Sequence, residues 1–543
     1  MKQFLPFIFL LFTSLTKTSS SQTPSLLWHF DTHDMSFGNS AAADLDGDGR
    51  LEIAFSCYWN DSFLYVLNAE DGSLLWKYNC GGCNDAAPII YDVTGDGQLD
   101  VILGSSCDPV LRCFNGSNGD LEWPKSFGGT DSPPAIADIN DDGVPDILVG
   151  DFEGRLNCYN GSNGNLQWQV VVQTNCTIQT SPALVDLNGD GQLDIVVATW
   201  SFTADGDSSK IVAYNGTDHT VMWQNPTPQD VMYHGVAFGD IDLDGKPELV
   251  IGSYDGTLYM LDGETGFIHR SYTPPGTFYI GAPATLGDVN GDGLLETVYV
   301  DGSELGVLDT GFNLLWDYII PGVGTAFRGA ALADVNGDNL PDVIFGTTNG
   351  KVDALNGSDG IPIWEEDLEA DYGTNFEVDH SPIVADFDGD DTLDVFVVGG
   401  HAEYPNIQNN YGRAYMIQAG VGSGPDWLMF QHDQYRSNCL CTPVSTNVMT
   451  PQTNGFTLSS YPNPFSSSTT FHIRLLQPST LDVSFYDAAG NIVKAHQLKN
   501  ASGLINITWN GTNDQGALLP AGMYYCKIAC DDFETVKKLV VIR

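Results

Sequence analysis

Basic residues are scarce. The chain has 21 Lys and Arg against 70 Asp and Glu, a formal net charge of −49 over 543 residues. Such a surface repels polyanions, which argues against nucleic acid and anionic membranes as partners. Long apolar runs are missing too. The one at 4–12 is shorter than the ~20 residues that cross a bilayer. With Lys2 before it and Ser19, Ser20 and Ser21 after it, segment 1–21 reads as a signal peptide, so export is expected. There is no nucleophile elbow, no HExxH helix and no Gly-rich phosphate loop. The eleven cysteines are an odd number, leaving at least one unpaired. Cys80 and Cys83 form a CxxC, but no second CxxC completes a zinc site and no βαβ pattern surrounds it, so structural bridging is expected. Cys113 and Cys158 occupy equivalent strand positions in neighbouring repeats and read as buried thiols.

The acids are abundant but not scattered. They recur in eight segments of one pattern, from ADLDGDGRLEIAF to ADFDGDDTLDVFVVG, whose first aspartates are spaced by 48, 46, 48, 54, 48, 46 and 52 residues. That is the length of a four-stranded propeller blade. Each repeat offers a short Pro- or Ala-containing strand, the acidic loop, an apolar strand, a third strand, an Asn-Gly or Asp-Gly hairpin and a fourth strand. The fourth strands carry Trp76, Trp123, Trp168, Trp223, Trp316 and Trp364, and the fifth blade departs, with His269 read at the Trp position. The sequons at Asn115, Asn160, Asn215 and Asn356 read as hairpin turns. Segment 26–30 resembles a fourth strand without its first three, and repeat eight has only three clear strands. The N-terminal strand is therefore expected to close the ring. The fold class is all-β: an eight-bladed propeller, seven blades being the alternative, over 22–441. A linker (442–455) and a small β-sandwich (456–543) follow.

Each acidic loop converges alternate oxygen ligands on one point, which suits calcium, a hard cation taking six to eight oxygens. The expected ligands are Asp44, Asp46, Asp48 and Glu52 in loop one, and Asp92, Thr94, Asp96 and Asp100 in loop two. Loops three and four offer Asp138, Asn140, Asp142, Asp146 and Asp186, Asn188, Asp190, Asp194. Loops five and six offer Asp240, Asp242, Asp244, Glu248 and Asp288, Asn290, Asp292, Glu296. The last two offer Asp334, Asn336, Asp338, Asp342 and Asp386, Asp388, Asp390, Asp394. These positions hold 27 carboxylates, which repel one another without cations; eight Ca²⁺ would bring −49 to −33. The loop is not an EF-hand, since the twelfth position is Phe55 in loop one and Leu103 in loop two. Magnesium suits it poorly, because it demands a tight octahedron and keeps its water. Loops seven and eight are the weakest, with Asn339 and Asp391 in place of the turn glycine.

On these repeats the chain resembles the FG-GAP or VCBS family over roughly 26–430, the blades of the integrin α-chain propeller with calcium in the A–B hairpins. The resemblance implies adhesion, carbohydrate binding or a scaffold, with lyases a minority. The C-terminal segment, through YPNPF (461–465), WNG (509–511), PAGMY (520–524) and its basic-apolar end, is similar to the type A sorting domain of type IX secretion. That resemblance implies the type IX machinery as a partner and a secreted or outer-surface location. The Trp-bearing strands also resemble the docking motif of eight-bladed quinoproteins, but the adjacent cysteines of those enzymes are absent.

An up-and-down blade puts the calcium loops on one face and the longer insertions on the other. Those insertions carry Tyr58, Trp59, Trp200, Phe202, His401, Tyr404 and Tyr411, and the starts of the inner strands add Asp85, Asp131, His234, Arg328, Asp379 and His380. Aromatics beside acids suit sugar rings, so the expected function is binding of extracellular ligands, either adhesion or capture of polysaccharide or glycoprotein. Two other readings stand beside it: a lyase using His234, His380 and Arg328, and a purely structural surface protein.

Overall fold

The computed structural model describes residues 23–201, 209–228, 235–277, 279–390, 392–422, 439–440, 456–461, 469–487, 492–513, 515, 517–520, 522–530 and 533–541. Segments 1–21 and 442–455 lie outside them. Contacts divide the chain into two units, 1–448 and 449–543.

In the first unit the described residues form eight blade sheets: seven are antiparallel and four-stranded, and in blade five Cys439–Leu440 adds a fifth strand, parallel to the inner strand Ala237–Gly239. Blade one comprises Ala41–Ala43, Glu52–Ser56, Phe63–Asn68 and Leu74–Asn79. The inner strands are three residues long and rich in alanine, since eight of them crowd round one axis. In seven blades the closing acid of the loop opens the second strand, as Glu52 does, so a polar loop passes directly into a fully buried strand. Blade eight takes Ile383–Ala385, Leu393–His401 and Tyr411–Gly420 from one end of the propeller sequence and Ser25–Thr32 from the other. Ile53, Phe55 and Leu67 of blade one then share a core with Phe396, Val398 and Met416 of blade eight. The ring is closed as the N-terminal strand led us to expect.

Tryptophans tie the blades together. The indole N–H of Trp28, Trp76, Trp123, Trp223 and Trp316 donates to a carbonyl in the next blade's outer hairpin: Ala69, Gly116, Gly161, Gly263 and Gly357. Each ring lies so close to a hairpin glycine with positive φ that a Cβ there would sit 2.3–2.7 Å from it. Three junctions depart. Trp168 meets His219 (φ 59°) where the glycine belongs, ring centroids 4.1 Å apart, and its N–H has no partner. Trp364 faces blade eight, whose outer strands come from opposite chain ends and share no tight turn, and its N–H is also unpartnered. In blade five the strand register places Arg270, not His269, opposite Met260, the position where Trp123 stands opposite Cys113. That corrects the sequence reading by one residue. The next blade answers with buried Phe312 (φ 60°) at the turn.

The cysteine expectation is sharpened. Cys83 pairs with Cys107, across blade two, and not with Cys80. Cys80, Cys113 and Cys158 are buried thiols. Asn115, Asn160, Asn215 and Asn356 open outer hairpins, each amide N–H reaching across to the far side of the turn at 2.9 Å.

In the second unit, Phe456–Tyr461, Thr469–Asp487, Ile492–Trp509, Gly522–Cys530 and Phe533–Val541 form one antiparallel sheet. Two strands are longer than the short ones expected, at 19 and 18 residues. The longest cannot be straight. Phe471 and Phe485 would be about 46 Å apart in an extended strand, yet their rings lie 5.7 Å apart. The ladder is irregular between Leu475 and Leu481, around Pro478, where the strand loses a donor and turns the corner. Its two halves thus face each other across Trp509, Tyr524 and Ile528, as layers of a small sandwich.

Candidate functional site

The acidic loops share one geometry. The first aspartate accepts the backbone N–H of the sixth position in loops one to seven, at 2.8–3.1 Å. The carbon skeleton there must turn left-handed, which glycine does without strain; Asn339 keeps the same turn in loop seven at φ 70°. Asp391 of loop eight lies outside the described residues. The closing acid reaches back to the second position's N–H, as Glu52 does to Leu45 at 2.6 Å and Asp394 to Phe387 at 3.1 Å. One oxygen is thus used and the other left over: Asp100 Oδ1 and Asp394 Oδ1 are buried without a partner; in loop three Asp146 Oδ2 is likewise unpartnered, while Oδ1 accepts from Gln167.

Carboxylates converge most tightly in loops one (Asp44, Asp46, Asp48), five (Asp240, Asp242, Glu248) and eight (Asp386, Asp388, Asp394). Burial, with the loop's other carboxylates adding to it, pushes the closing acids up to about 7 for Glu52, Asp100, Asp146, Glu248, Glu296 and Asp394. Asp194 rises to about 6 and Asp342 to about 8 from the same causes. A donor set of buried, mutually repelling oxygens with spare lone pairs fits a hard divalent cation. Loops three and seven fit it less well, since Gln167 donates to Asp146 and Asn336 to Asp342.

The opposite face is irregular. A cavity of about 330 Å³ opens there, at the mouth of the central channel. The position four before each inner strand holds Phe37, Asp85, Asp131, Gln179, Gly281, Phe327 and Asp379 in blades one to four and six to eight, and of these Phe37, Asp85, Gly281, Phe327 and Asp379 line the cavity. The second-to-third-strand loops add Tyr58 and Tyr254, and Tyr279 and Arg328 complete the lining. Tyr279 stacks between Tyr254 and Phe327, with centroids at 5.1 and 5.9 Å. Phe37 meets Tyr58 edge-on. Arg328 Nε lies 3.5 Å from Asp379 Oδ1 and its guanidinium 5.8 Å from the Phe37 ring. The loop bearing Tyr58 is pinned by buried Asp34, which accepts from the Asn60 N–H and from Asn410, both at 2.8 Å.

Two expected ligand residues, Tyr58 and Arg328, therefore meet in one cavity, with Asp85 and Asp379. The others do not join them. Trp59 is 43% exposed beside Tyr58 without lining the cavity, and Tyr404 is 82% exposed on its own loop. Trp200 pairs with Thr177 in a two-stranded ribbon. His401 lies 2.9 Å from both Glu377 and Asn375. His380 is a correction: it is 1% exposed, hydrogen-bonded to Ser40 at 2.9 Å, and offers no base to the channel. It stands one residue past the rim position, where the chain already turns into the core. Phe202 and His234 lie outside the described residues. Phe37, Tyr254, Tyr279 and Phe327 were missed, although counting four back from each inner strand finds Phe37 and Phe327.

Residues 92–149, 138–197, 186–251 and 240–299 match the model of the FG-GAP-like repeat. The larger unit is a repeat β-propeller. The propeller resembles in fold a europium-containing methanol dehydrogenase (13% identity, 73% of this chain and 93% of that one, TM-score 0.55). It also resembles Sqt1 of Saccharomyces cerevisiae (13%, 74% and 100%, 0.52) and the quinohemoprotein alcohol dehydrogenase of Comamonas testosteroni (13%, 74% and 77%, 0.50). At such identities only the fold is shared. Residues 462–532 match the FlgD Ig-like domain. No curated protein matches the chain in sequence. No helix among the described residues is long and apolar enough to cross a membrane.

Proposed function

We propose that this is an exported, calcium-stabilised propeller that captures extracellular polysaccharide or glycoprotein at the channel mouth. The observation that carries the reading is the cavity itself. Loops from six blades bring five aromatic rings, two carboxylates and one guanidinium to a single opening, and apolar platforms beside a few polar groups are what a sugar ring requires. Calcium belongs to the other face, where it would hold each hairpin shut, through the loop aspartates and the buried closing acids. The lyase reading loses support, because His380 is in the core and Arg328 is engaged by Asp379. The C-terminal sandwich is the delivery signal, in keeping with its resemblance to type IX sorting domains.

A glycan array run with the full chain tests capture, alongside an absorbance assay for unsaturated products. Binding that is lost in Tyr279→Ala without any product is expected; turnover would make the protein an enzyme instead. For delivery, a chain ending at 455 is expected to stay cell-associated and folded, and its normal appearance outside the cell would overturn the sorting role.

A further inference from the structure

The channel rim is divided by charge. Asp85 of blade two lines the cavity, and behind it Asp131 of blade three, close enough to repel it, and Gln179 of blade four continue a polar arc; blades five, six and seven contribute the stacked Tyr254, Tyr279 and Phe327 as the arc across from it. Among the described lining residues the one cation is Arg328, which pairs with Asp379 at 3.5 Å and lends part of its charge to Asp85 and Asp131, not enough to offset their burial. The polar arc is short of donors. Asp85 Oδ1, Asp131 Oδ1 and the Oε1 of Gln179 are buried acceptors without a partner, while the Gln179 amide already donates to Asp131 Oδ2 at 3.0 Å. Gln179 is only 4% exposed. Asn84, the residue before Asp85, is buried as well and also keeps an unpartnered carbonyl oxygen. Buried acceptors left unmatched are costly, and together they ask for a ligand that donates hydrogen bonds and carries positive charge. A bare metal ion is the poorer occupant, because Asp85, Asp131 and Asp379 do not converge as the acidic loops do. The aromatic arc asks in addition for a flat apolar face.

Resting on the capture reading above, we infer that the ligand is an oligosaccharide bearing free amino groups, its pyranose ring on the Tyr279 arc and its ammonium on Asp85 and Asp131. Burial first, and then the neighbouring Asp131, hold the Asp85 carboxyl well above its usual range, so in the empty cavity this pair resists carrying two charges. An arriving ammonium relieves that repulsion and fills the acceptors at once.

The test is calorimetric titration of the full chain, with calcium present, using a glucosamine hexamer and an N-acetylglucosamine hexamer, buffered where the sugar amine is protonated. The free-amine hexamer is expected to bind at least about tenfold more tightly, and Asp85→Asn and Asp131→Asn each to cost it about tenfold, the loss of one charge-assisted hydrogen bond. Both variants remove a carboxylate whose charge burial disfavours and keep its shape, so melting temperatures at or above that of the parent are expected to accompany the loss. Equal binding of the two hexamers, insensitive to both variants, overturns the amine inference and leaves glycan capture standing. Binding of neither by the folded protein overturns both. A lysine amide that binds as tightly as the free-amine hexamer, with the same sensitivity, overturns the sugar and assigns the site to peptide side chains.

Discussion

The two faces of the propeller obey different rules. On one, seven loops repeat a geometry down to the backbone N–H that each first aspartate accepts; on the other, among the described residues, no two blades present the same residue to the channel in the same company. A feature repeated in every blade serves each blade separately, because each hairpin has to be held shut on its own. An irregular rim serves the ring as a whole, since one cavity needs different groups from different directions. Repetition here marks stability, and its breakdown marks recognition.

The sharpest way to break this contrast is to remove the calcium proposed for the acidic loops. Chelation is expected to produce the largest effect, a drop in melting temperature well beyond any single substitution, since each site filled at ~100 times its dissociation constant adds about 2.7 kcal/mol. Thermal melts with and without chelator measure it, and an unchanged midpoint would strip the regular face of its role. Next come the blade junctions. Trp123→Ala is expected to cost about 3–5 kcal/mol through the cavity it leaves. Trp123→Phe should cost about 1 kcal/mol for the indole hydrogen bond alone. The same change at Trp168, whose N–H has no partner, should cost less, and denaturant titrations of the three variants order them.

The irregular face should respond oppositely. Burial, set against hydrogen bonds from Ser106 and Gln179 and the charge of Arg328, leaves Asp131 raised to about 6 from an ordinary 3.8. Between those values the folded chain keeps a proton that the unfolded chain has released, so stability falls as pH rises, and levels off above about 6. Asp131→Asn removes that slope, and melts across the range should show the variant gaining on the parent up to about pH 6. The smallest effect concerns the turn at His219. His219→Gly relieves a left-handed backbone and is expected to stabilise by about 1 kcal/mol in equilibrium unfolding.

How much could be read in advance follows the same division. The acidic loops, the hairpins and the closing strand are local patterns at fixed spacing, so blade boundaries and the convergence of carboxylates in loops one, five and eight were legible. The rim was legible only in part. Asp85, Asp131, Arg328 and Asp379 stand at strand starts and could be named, whereas Tyr254 and Tyr279 enter from loops whose path depends on neighbouring blades. His380 shows the limit: one residue of offset moves a side chain from the channel to the core. Arg270 shows another, since only strand pairing fixes which residue of His269-Arg270 takes the tryptophan's place. The pairing of Cys83 with Cys107 was out of reach, because connectivity is set by which loops meet in space.

The closing strand has a consequence in time. Ser25 and Gln418, 393 residues apart, face each other across the last ladder of blade eight. The first strand of the propeller to be made therefore waits for the last, and until blade eight arrives the growing array has two open ends. Contacts so distant in sequence form slowly, so the ring behaves as a latch that shuts once, after synthesis of the propeller is complete. A truncation anywhere in blade eight would leave the emerging chain with unpaired strand edges on both sides, which makes late stop codons in this chain an aggregation hazard and not a mild loss.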